Sequence, residues 1–293
     1  MASLKEIKSR ISSITSTRQI TSAMKMVAVA KLKKAQDGIM KIRPYSNKLS
    51  DVLKKVSSGL DTKHCSVYSQ NRDVNNVLII LLASNRGLCG AFNNTVSKKA
   101  VDYAEDCYHK QVAQGKVKFV CIGNKATEFM KKQKYEIIKS EADIFENLTF
   151  KNSTEIADFV MKSFVDKTFD RVDIIYNSFK NAAVYEQRCE QFLPMSITKD
   201  EADDNSFDYI FEPNVEKIVE EMIPKSLKIQ FYRNLMDSFA AEQGARMTAM
   251  HQATDNATEL IKDLTLMYNK ARQASITNEL IEITSGAEAL VGR

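Results

Sequence analysis

The sequence predicts an α/β protein in which two long terminal helices form an antiparallel coiled coil and an α/β domain is inserted between them. The first and last parts of the chain carry apolar residues at heptad spacing, which is typical of coiled coils. The middle alternates apolar runs with helical periods, which is typical of a sheet covered by helices. Only four prolines and nine glycines interrupt the 293 residues. We therefore divide the chain into segments 1–58, 59–212 and 213–293.

The N-terminal segment has the pattern of one coiled-coil helix. One row of its seam is Leu4, Ile11, Leu32 and Ile39, and the companion row is Ile7, Ile14, Thr21, Ala28, Ala35 and Ile42. Arg18 and Lys25 fall on the first row and interrupt it. Pro44 is expected to kink or end the helix, because proline lacks a backbone donor and clashes with the preceding turn. A weaker helical pattern resumes to about Ser58.

The middle segment alternates strands and helices. A continuous apolar run predicts a buried strand at 77–83, and further strands are predicted at 117–123, 171–179 and 183–193. Helical periods predict helices at 94–113, 124–133 and 153–168. This order predicts a Rossmann-like α/β domain around a mostly parallel sheet. The acidic stretch 198–208 is expected to be a solvated loop.

The C-terminal segment has the same heptad pattern, with seven residues in each of two rows. Its seam is Met236, Gln243, Met250, Ala257, Leu264, Ala271 and Asn278, and the predicted companion row is Phe239, Arg246, Ala253, Leu260, Met267, Ala274 and Ile281. A shorter helix led by Pro213 is expected to precede this long helix. Pro224 is expected in the first turn of the long helix or at a kink in it. Gly244 inside the helix predicts the close approach of another backbone.

The two helices differ in length. If both attach to the same end of the α/β domain, they run antiparallel. About 40 residues before Pro44 span roughly 60 Å, and about 60 residues after Pro224 span roughly 90 Å. The C-terminal helix therefore overshoots its partner. The overshoot is "ITNELIEITSGAEAL" (276–290), whose apolar residues do not stay on one face. Such a helix needs an apolar sleeve from outside the chain.

Composition limits the possible functions. No run of about 18 apolar residues is present, and the charged N-terminus is not typical of a signal peptide. Five scattered cysteines without a CxxC pair indicate free thiols in a reducing compartment. Residues 1–58 hold thirteen basic and three acidic residues, a net charge of +10. Nucleic acid is a possible partner of this arm, but an acidic protein surface fits as well or better, because no aromatic residue for base stacking precedes Tyr45.

The feature most like an enzyme site is "SNRGLCGAFN" (84–93), a glycine turn between a strand and a helix. A phosphate could bind at the start of that helix. However, the GxxG spacing matches neither a dinucleotide turn nor a P-loop, so we interpret it as a tight turn. Cys89 has no histidine partner in a catalytic motif, and His64, His109 and His251 lack metal-ligand spacing. We expect no catalytic residue, cofactor or metal on this chain.

Three stretches resemble a known family. They are "ITSAMKMVAVAKLKKAQ", "SNRGLCGAFN" and "DNATELIKDLTLMYNKARQASITNELIEITSGAEAL", and the similarity extends over essentially the full chain. They resemble the γ subunit of F-type ATP synthases. The resemblance implies a rotor shaft inside a ring of alternating α and β subunits, whose apolar sleeve surrounds the tip. Nucleotides would bind on α and β. A coiled-coil scaffold and an α/β nucleotide-binding enzyme remain the alternatives.

The resemblance also implies contact residues and partners. Met24 and Lys25 would lie against the acidic lever segment of β, with Arg86 nearby. Arg272 and Gln273 would make the catch contacts to a β loop, supported by Thr277 and Glu279. Further partners would be the ε subunit and the c-ring, which gives indirect membrane association. The plastid cysteine pair and a transit segment are absent, so a bacterial inner membrane, on its cytoplasmic face, is the expected location.

Overall fold

The computed structural model describes residues 3–58, 67–70, 72–182, 184–195 and 215–291. These residues form two compact units. One consists of Met1–Val27 with Met247–Arg293, and the other of Ala28–Arg246. The predictions made for Pro213, His64, Cys65 and the acidic stretch 198–208 concern residues outside the described ranges.

The elements alternate as expected for a mixed α/β chain, and the predicted fold class is confirmed. In chain order they are α1 (Leu4–Ser58), β1 (Val77–Leu82), α2 (Phe92–Ala113), β2 (Val117–Ile122), α3 (Asn124–Lys132), β3 (Glu136–Glu141), α4 (Phe150–Val165), β4 (Arg171–Phe179), β5 (Tyr185–Leu193) and α5 (Val215–Val291). Short 3-10 helices cover Val67–Ser69 and Asp143–Phe145. Among the elements the structure describes, none is a helix apolar and long enough to span a bilayer.

The sheet has five strands in the order β3-β2-β1-β4-β5. β1 lies at its centre and pairs in parallel with both β2 and β4, so that Val77 is opposite Val117 and Arg171. β3 is also parallel, and β5 is antiparallel to β4. All six residues of β1 are buried, as expected for a strand covered on both faces. The prediction of a mostly parallel sheet is confirmed.

The side chains of β1 alternate between two cores. Leu78, Ile80 and Leu82 belong to the core formed with α4 and with residues Ile223 to Leu235 of α5. Val77, Ile79 and Leu81 belong to the core formed with α2 and α3. The sheet is therefore the middle layer of this unit, and one face of it carries the start of α5.

β3 was not predicted. Its residues, "EIIKSE", alternate between exposed and half-buried positions at the edge of the sheet. An edge strand buries only one face, so its apolar signal is weak beside the continuous runs of β1 and β2. Lys118 of β2 forms a 2.7 Å ion pair with Glu136 of β3.

The predicted seam of α1 is confirmed. Ile7, Ala28, Leu32, Ala35 and Ile39 are buried, and the other seam positions are half-buried. Pro44 was expected to kink or end the helix; it does not end it, because α1 continues to Ser58, and the kink stays a prediction. Leu53 beyond the proline is buried in the sheet core, and this packing offsets a cost of about 3 kcal/mol for an internal proline.

α5 differs from its prediction in two respects. It is one continuous helix from Val215 with Pro224 inside it, rather than a short helix followed by a long one. The seam through Met250 and Ala257 is confirmed, since both residues are buried. The companion row is wrong from Leu260 onward. The half-buried row is instead Thr254, Ile261, Tyr268 and Ser275, while Leu260, Met267, Ala274 and Ile281 are exposed.

α1 and α5 run antiparallel. A Cβ built on Gly38 of α1 would lie 2.6 Å from the Met236 side chain, and Thr21 Oγ1 lies 2.9 Å from Thr254 Oγ1. Residue numbers therefore fall along α1 as they rise along α5. Every α5 residue from Ile276 to Ala287 is exposed, as predicted for the tip.

Candidate partner-binding site

The unit built from the chain termini carries six of the seven predicted contact residues. Met24 and Lys25 are half-buried on α1, where Lys25 occupies a seam position. Arg272, Gln273, Thr277 and Glu279 are all exposed on α5. Arg86 belongs to the other unit, where it is exposed.

The predicted α5 residues are held by short-range hydrogen bonds along the helix. The Thr277 hydroxyl donates to the Gln273 carbonyl oxygen at 2.9 Å, and the Ser275 hydroxyl donates to Glu279 Oε1 at 3.3 Å. Within the described ranges, the side chains of Arg272 and Gln273 form no hydrogen bond or ion pair with other residues. These two polar groups are therefore available to a partner.

Large apolar side chains are exposed around these positions. On α1 they are Ile20, Met26 and Val27, and on α5 they are Leu260, Leu266, Met267, Ile276, Leu280, Ile281 and Ile283. Apolar surface that is exposed over several helical turns marks a binding surface. Leu260, Met267 and Ile281 belong to the row that was predicted to face α1. This row faces outward, so it belongs to the candidate binding surface.

The glycine turn that carries Arg86 is tightly organised. Leu88 and Gly90 both adopt left-handed backbone conformations, with φ of 63° and 61°. The Ser84 backbone N–H donates to Asn93 Oδ1 at 2.9 Å, and the Ser84 hydroxyl donates to the Arg86 carbonyl oxygen at 2.7 Å. The Asn93 amide donates to Cys89 Sγ at 3.2 Å. The prediction of a tight strand-to-helix turn is confirmed.

Arg246 of α5 clamps this turn from outside. Its NH1 donates to the Gly87 carbonyl oxygen at 2.5 Å, and its NH2 donates to Glu242 Oε1 at 2.5 Å. The side chains of Arg246 and Glu242 are only 12% and 8% exposed. Burial raises the pKa of Glu242, and the Arg246 charge opposes that rise. The sequence placed Arg246 only on a helix seam, because its partner lies 159 residues away and leaves no local signal.

The same turn lacks the features of a nucleophile site. Burial raises the pKa of the Cys89 thiol, which disfavours the reactive thiolate. Its thiol lies among Ser84, Asn93 and the Arg86 carbonyl, and no histidine of the described ranges forms a hydrogen bond with it. Among the residues the structure describes, no three His, Cys, Asp or Glu side chains are grouped as a metal site.

A cavity of about 450 Å³ lies elsewhere in the α/β unit. Its lining includes Gly115, Val117, Tyr135 and Glu136. Val117 and Glu136 are the first residues of β2 and β3, so the cavity lies at the amino ends of these strands. Ligands of open α/β sheets bind at the carboxyl ends. The cavity does not support the nucleotide-binding alternative.

Comparison with known proteins agrees with this geometry. The ATP synthase family model matches residues 3–290. The chain is 50% identical to the ATP synthase gamma chain of Christiangramia forsetii, over all of both chains, and 44% identical to that of Chlorobaculum tepidum, over 99% of both. The chain belongs to the ATP synthase gamma-chain family.

Solved structures share the gamma-chain fold. A chain from the Euglena gracilis mitochondrial ATP synthase (OSCP/F1/c-ring, rotational state 3) is 20% identical with a TM-score of 0.68, covering 98% of this chain and 94% of that one. A chain from the Tetrahymena thermophila mitochondrial ATP synthase central stalk and c-ring is 23% identical with a TM-score of 0.60, covering 80% and 99%. Gamma chains are subunits of the ATP synthase complex, in which they form the central stalk.

Proposed function

We propose that this chain is the central rotor shaft of a bacterial F1Fo ATP synthase. It couples ion flow through the membrane c-ring to ATP synthesis or hydrolysis on a ring of α and β subunits. The observation that carries the proposal is the tip of α5, where exposed apolar residues face several directions. A helix of this kind requires a surrounding apolar surface that this chain does not supply.

The shaft acts by differential contact. Three otherwise identical catalytic sites can be placed in different states only if the shaft contacts each of them differently. The surface of the unit built from the chain termini is asymmetric. Its α1 part exposes Ile20, Met26 and Val27, and its α5 part exposes Leu260 and Met267. Rotation would present a new face to each β subunit in turn.

We assign the β contacts to the seven predicted residues. Met24 and Lys25 would meet the acidic lever segment of β, and Arg86 would contact the same subunit from the glycine turn. Arg272 and Gln273 would make the catch contacts, and Thr277 and Glu279 would support them. The exposure of these residues, with Met24 and Lys25 half-buried, is compatible with partner binding.

The chain itself would be non-catalytic and would hold no cofactor. The turn at Gly87 and Gly90 lacks a P-loop lysine, and Cys89 is buried. Further partners would be the ε subunit and the c-ring. The bacterial origin of the relatives supports a peripheral location on the cytoplasmic face of the inner membrane.

Co-purification tests this function. A tagged chain expressed in its own cell should bring down α and β subunits in equal amounts, each in about threefold excess over the chain. A scaffold would be recovered with other partners. A nucleotide-binding enzyme would give saturable heat when the isolated chain is titrated with Mg-ATP, whereas a shaft should give none. Recovery without α and β would reject the proposal.

A further inference from the structure

α5 lies on one face of the sheet through a row of apolar side chains at four-residue spacing. The row is Ile223, Leu227, Phe231 and Leu235, and all four are buried. They share a core with Tyr176 of β4 and Phe192 of β5, and the rings of Phe192 and Phe231 are 6.0 Å apart. Such contacts are non-directional.

This repeat alone would permit the helix to slide, although Gly244 and Arg246 farther along α5 also contact the α/β unit. A shift of α5 by four residues, close to one turn and about 6 Å, would replace each apolar side chain of the row with the next one. Leu227 would occupy the place of Ile223, and Phe231 the place of Leu227. One-turn shifts of one packed element past another are an established type of transition. The apolar contacts alone therefore do not select one position of α5 on the sheet.

Asn234, next to this row, does distinguish the positions. It is fully buried, and its Nδ2 donates to Glu190 Oε2 of β5 at 3.5 Å. Glu190 Oε1 in turn accepts a hydrogen bond from the Tyr176 hydroxyl at 2.9 Å. A slide by one turn would bring Gln230 or Ser238 to this place. Neither side chain has an amide at the same distance from the backbone, so the chain of hydrogen bonds would be lost.

Asp237 distinguishes the positions by charge. It is 6% exposed, and the cations that face it are Arg43 of α1, Arg188 of β5 and Arg233 on its own helix. Glu190 of β5 is the other acidic group near it.

A slide in one direction would bring Arg233 to the place of Asp237, which adds a cation beside Arg43 and Arg188. A slide in the other direction would bring Ala241, which leaves both guanidinium groups without this carboxylate. Both shifts are electrostatically unfavourable.

These polar groups are weak sources of stability. Within the described part of the chain, Asn234 Oδ1 and Asp237 Oδ1 accept no hydrogen bond. Incompletely paired polar groups in a core cost free energy, and replacing a whole buried ion pair with apolar residues is often neutral or stabilising. Their best-attested use is to fix one register among several.

We propose that Asn234 and Asp237 are positioning residues that fix the register of α5 on the sheet. They prevent a one-turn slide, so that load on α5 passes to the α/β unit. This inference rests on the proposed rotary function.

The test replaces both residues in the assembled complex with Asn234→Leu and Asp237→Leu. Spin labels are attached to cysteines introduced at the exposed positions Lys225 and Glu155, after the native cysteines have been replaced. Pulsed electron resonance should give one distance in the unsubstituted chain and a second population, shifted by up to about 6 Å, in the double variant. Protons pumped per ATP hydrolysed should fall at least about twofold. The unfolding temperature should fall, because Asp237→Leu leaves Arg43, Arg188 and Arg233 without this carboxylate, so the label distance and the pumping ratio carry the test.

Leu235→Ala is the matched control, because it removes a buried apolar side chain from the same interface and keeps both polar residues. It should lower the unfolding temperature while the label distance and the pumping ratio stay unchanged. A single unshifted distance in the double variant would overturn the proposal. If the double variant fails to assemble, Asn234→Leu alone should show a smaller second population. A single unshifted distance in that variant would also overturn the proposal. Failure of the unsubstituted complex to pump would instead reject the rotary function.

Discussion

Arg246 connects α5 to a turn that lies 159 residues earlier in the chain. Its guanidinium reaches the Gly87 carbonyl oxygen and the carboxylate of Glu242, and both charged side chains are nearly buried. A buried ion pair adds little stability beyond that of a good apolar pair, but removal of one member leaves an uncompensated charge. Arg246 therefore adds to the hydrogen bonds of Ser84 and Asn93 that hold the glycine turn and the position of Arg86.

Arg246→Met should therefore lower the free energy of unfolding by about 3 kcal/mol at neutral pH. The loss should depend on pH. Without the Arg246 charge, the pKa of Glu242 rises further, because burial is then opposed only by the charge of Lys31. A raised pKa in the folded state gives stability that is present at low pH and lost as pH rises through that value. The deficit of the variant should therefore shrink as the pH falls toward the ordinary pKa of a glutamate, as urea denaturation at several pH values would measure.

The exposed pair Arg10–Glu6 offers the control. Its atoms are 3.0 Å apart, and its side chains are 65% and 50% exposed. Arg10→Met should change the free energy of unfolding by less than about 1 kcal/mol. Equal losses in the two variants would show that the Arg246 pair behaves as a surface pair.

Gly244 lets α5 approach the connection between β4 and β5. A Cβ at this position would lie 2.9 Å from the Ala182 carbonyl oxygen, which is a backbone atom and cannot rotate away. The expected close approach of another backbone is confirmed. Glycine inside a helix costs about 1 kcal/mol relative to alanine, so the contact is retained against helix propensity.

Gly244→Ala should be destabilising in spite of the gain in helix propensity. Gly286→Ala in the same helix is the matched variant, because a Cβ there meets nothing within 4 Å. It should gain up to about 1 kcal/mol of local helix stability. Hydrogen exchange of the amides around each site would measure both effects. Slower exchange around Gly244→Ala would show that the carbonyl contact imposes no cost.

The outward row of α5 shows where heptad reasoning reaches its limit. Leu260 and Met267 are 51% and 58% exposed, while their neighbours Ile261 and Tyr268 are half-buried. Both members of each pair are apolar, so residue type alone does not select the row that faces α1. In α1 the seam stands out more clearly, and it was predicted correctly. The fold was readable because strands and seams have local periods, whereas the Arg246 clamp joins distant segments and has none.

Leu260→Gln together with Met267→Gln should leave the helical pair intact, with a change in unfolding free energy within about 0.5 kcal/mol. The same variant should bind its partner ring less well, because apolar area is lost from the candidate surface. Ile261→Gln, one residue away on the half-buried row, should instead lower the melting temperature of the purified chain. Circular dichroism and recovery of α and β on the tagged chain would separate the two. A loss of helix stability in the Leu260 and Met267 variant would show instead that the row through these residues faces α1.

At the scale of the whole molecule, the proposed rotary function requires α5 to make two kinds of contact with the partner ring. A bearing needs a close fit without fixed partners, whereas a catch needs directional bonds that form at one angle. The exposed stretch from Ile281 to Ala287 has mainly apolar and small side chains, while Arg272 and Gln273 offer donors that no described residue engages. We therefore propose that Arg272 and Gln273 form the catch and that the tip of α5 forms the spindle, which is the bearing part of the helix.

This separation gives the final prediction. Spindle contacts are individually replaceable, so deletion of Gly286 to Arg293 should leave assembled complex with substantial ATP hydrolysis. Arg272→Ala with Gln273→Ala removes fewer atoms, but it leaves polar groups of the β subunit without partners, at a cost of about 1–3 kcal/mol each. Turnover should therefore change more in the double alanine variant. ATPase activity of both variants, normalised to the assembled amount of this chain, measures the difference. If the truncation abolished turnover and the double alanine variant ran normally, residues 286–293 would be the catch and Arg272 and Gln273 part of the spindle.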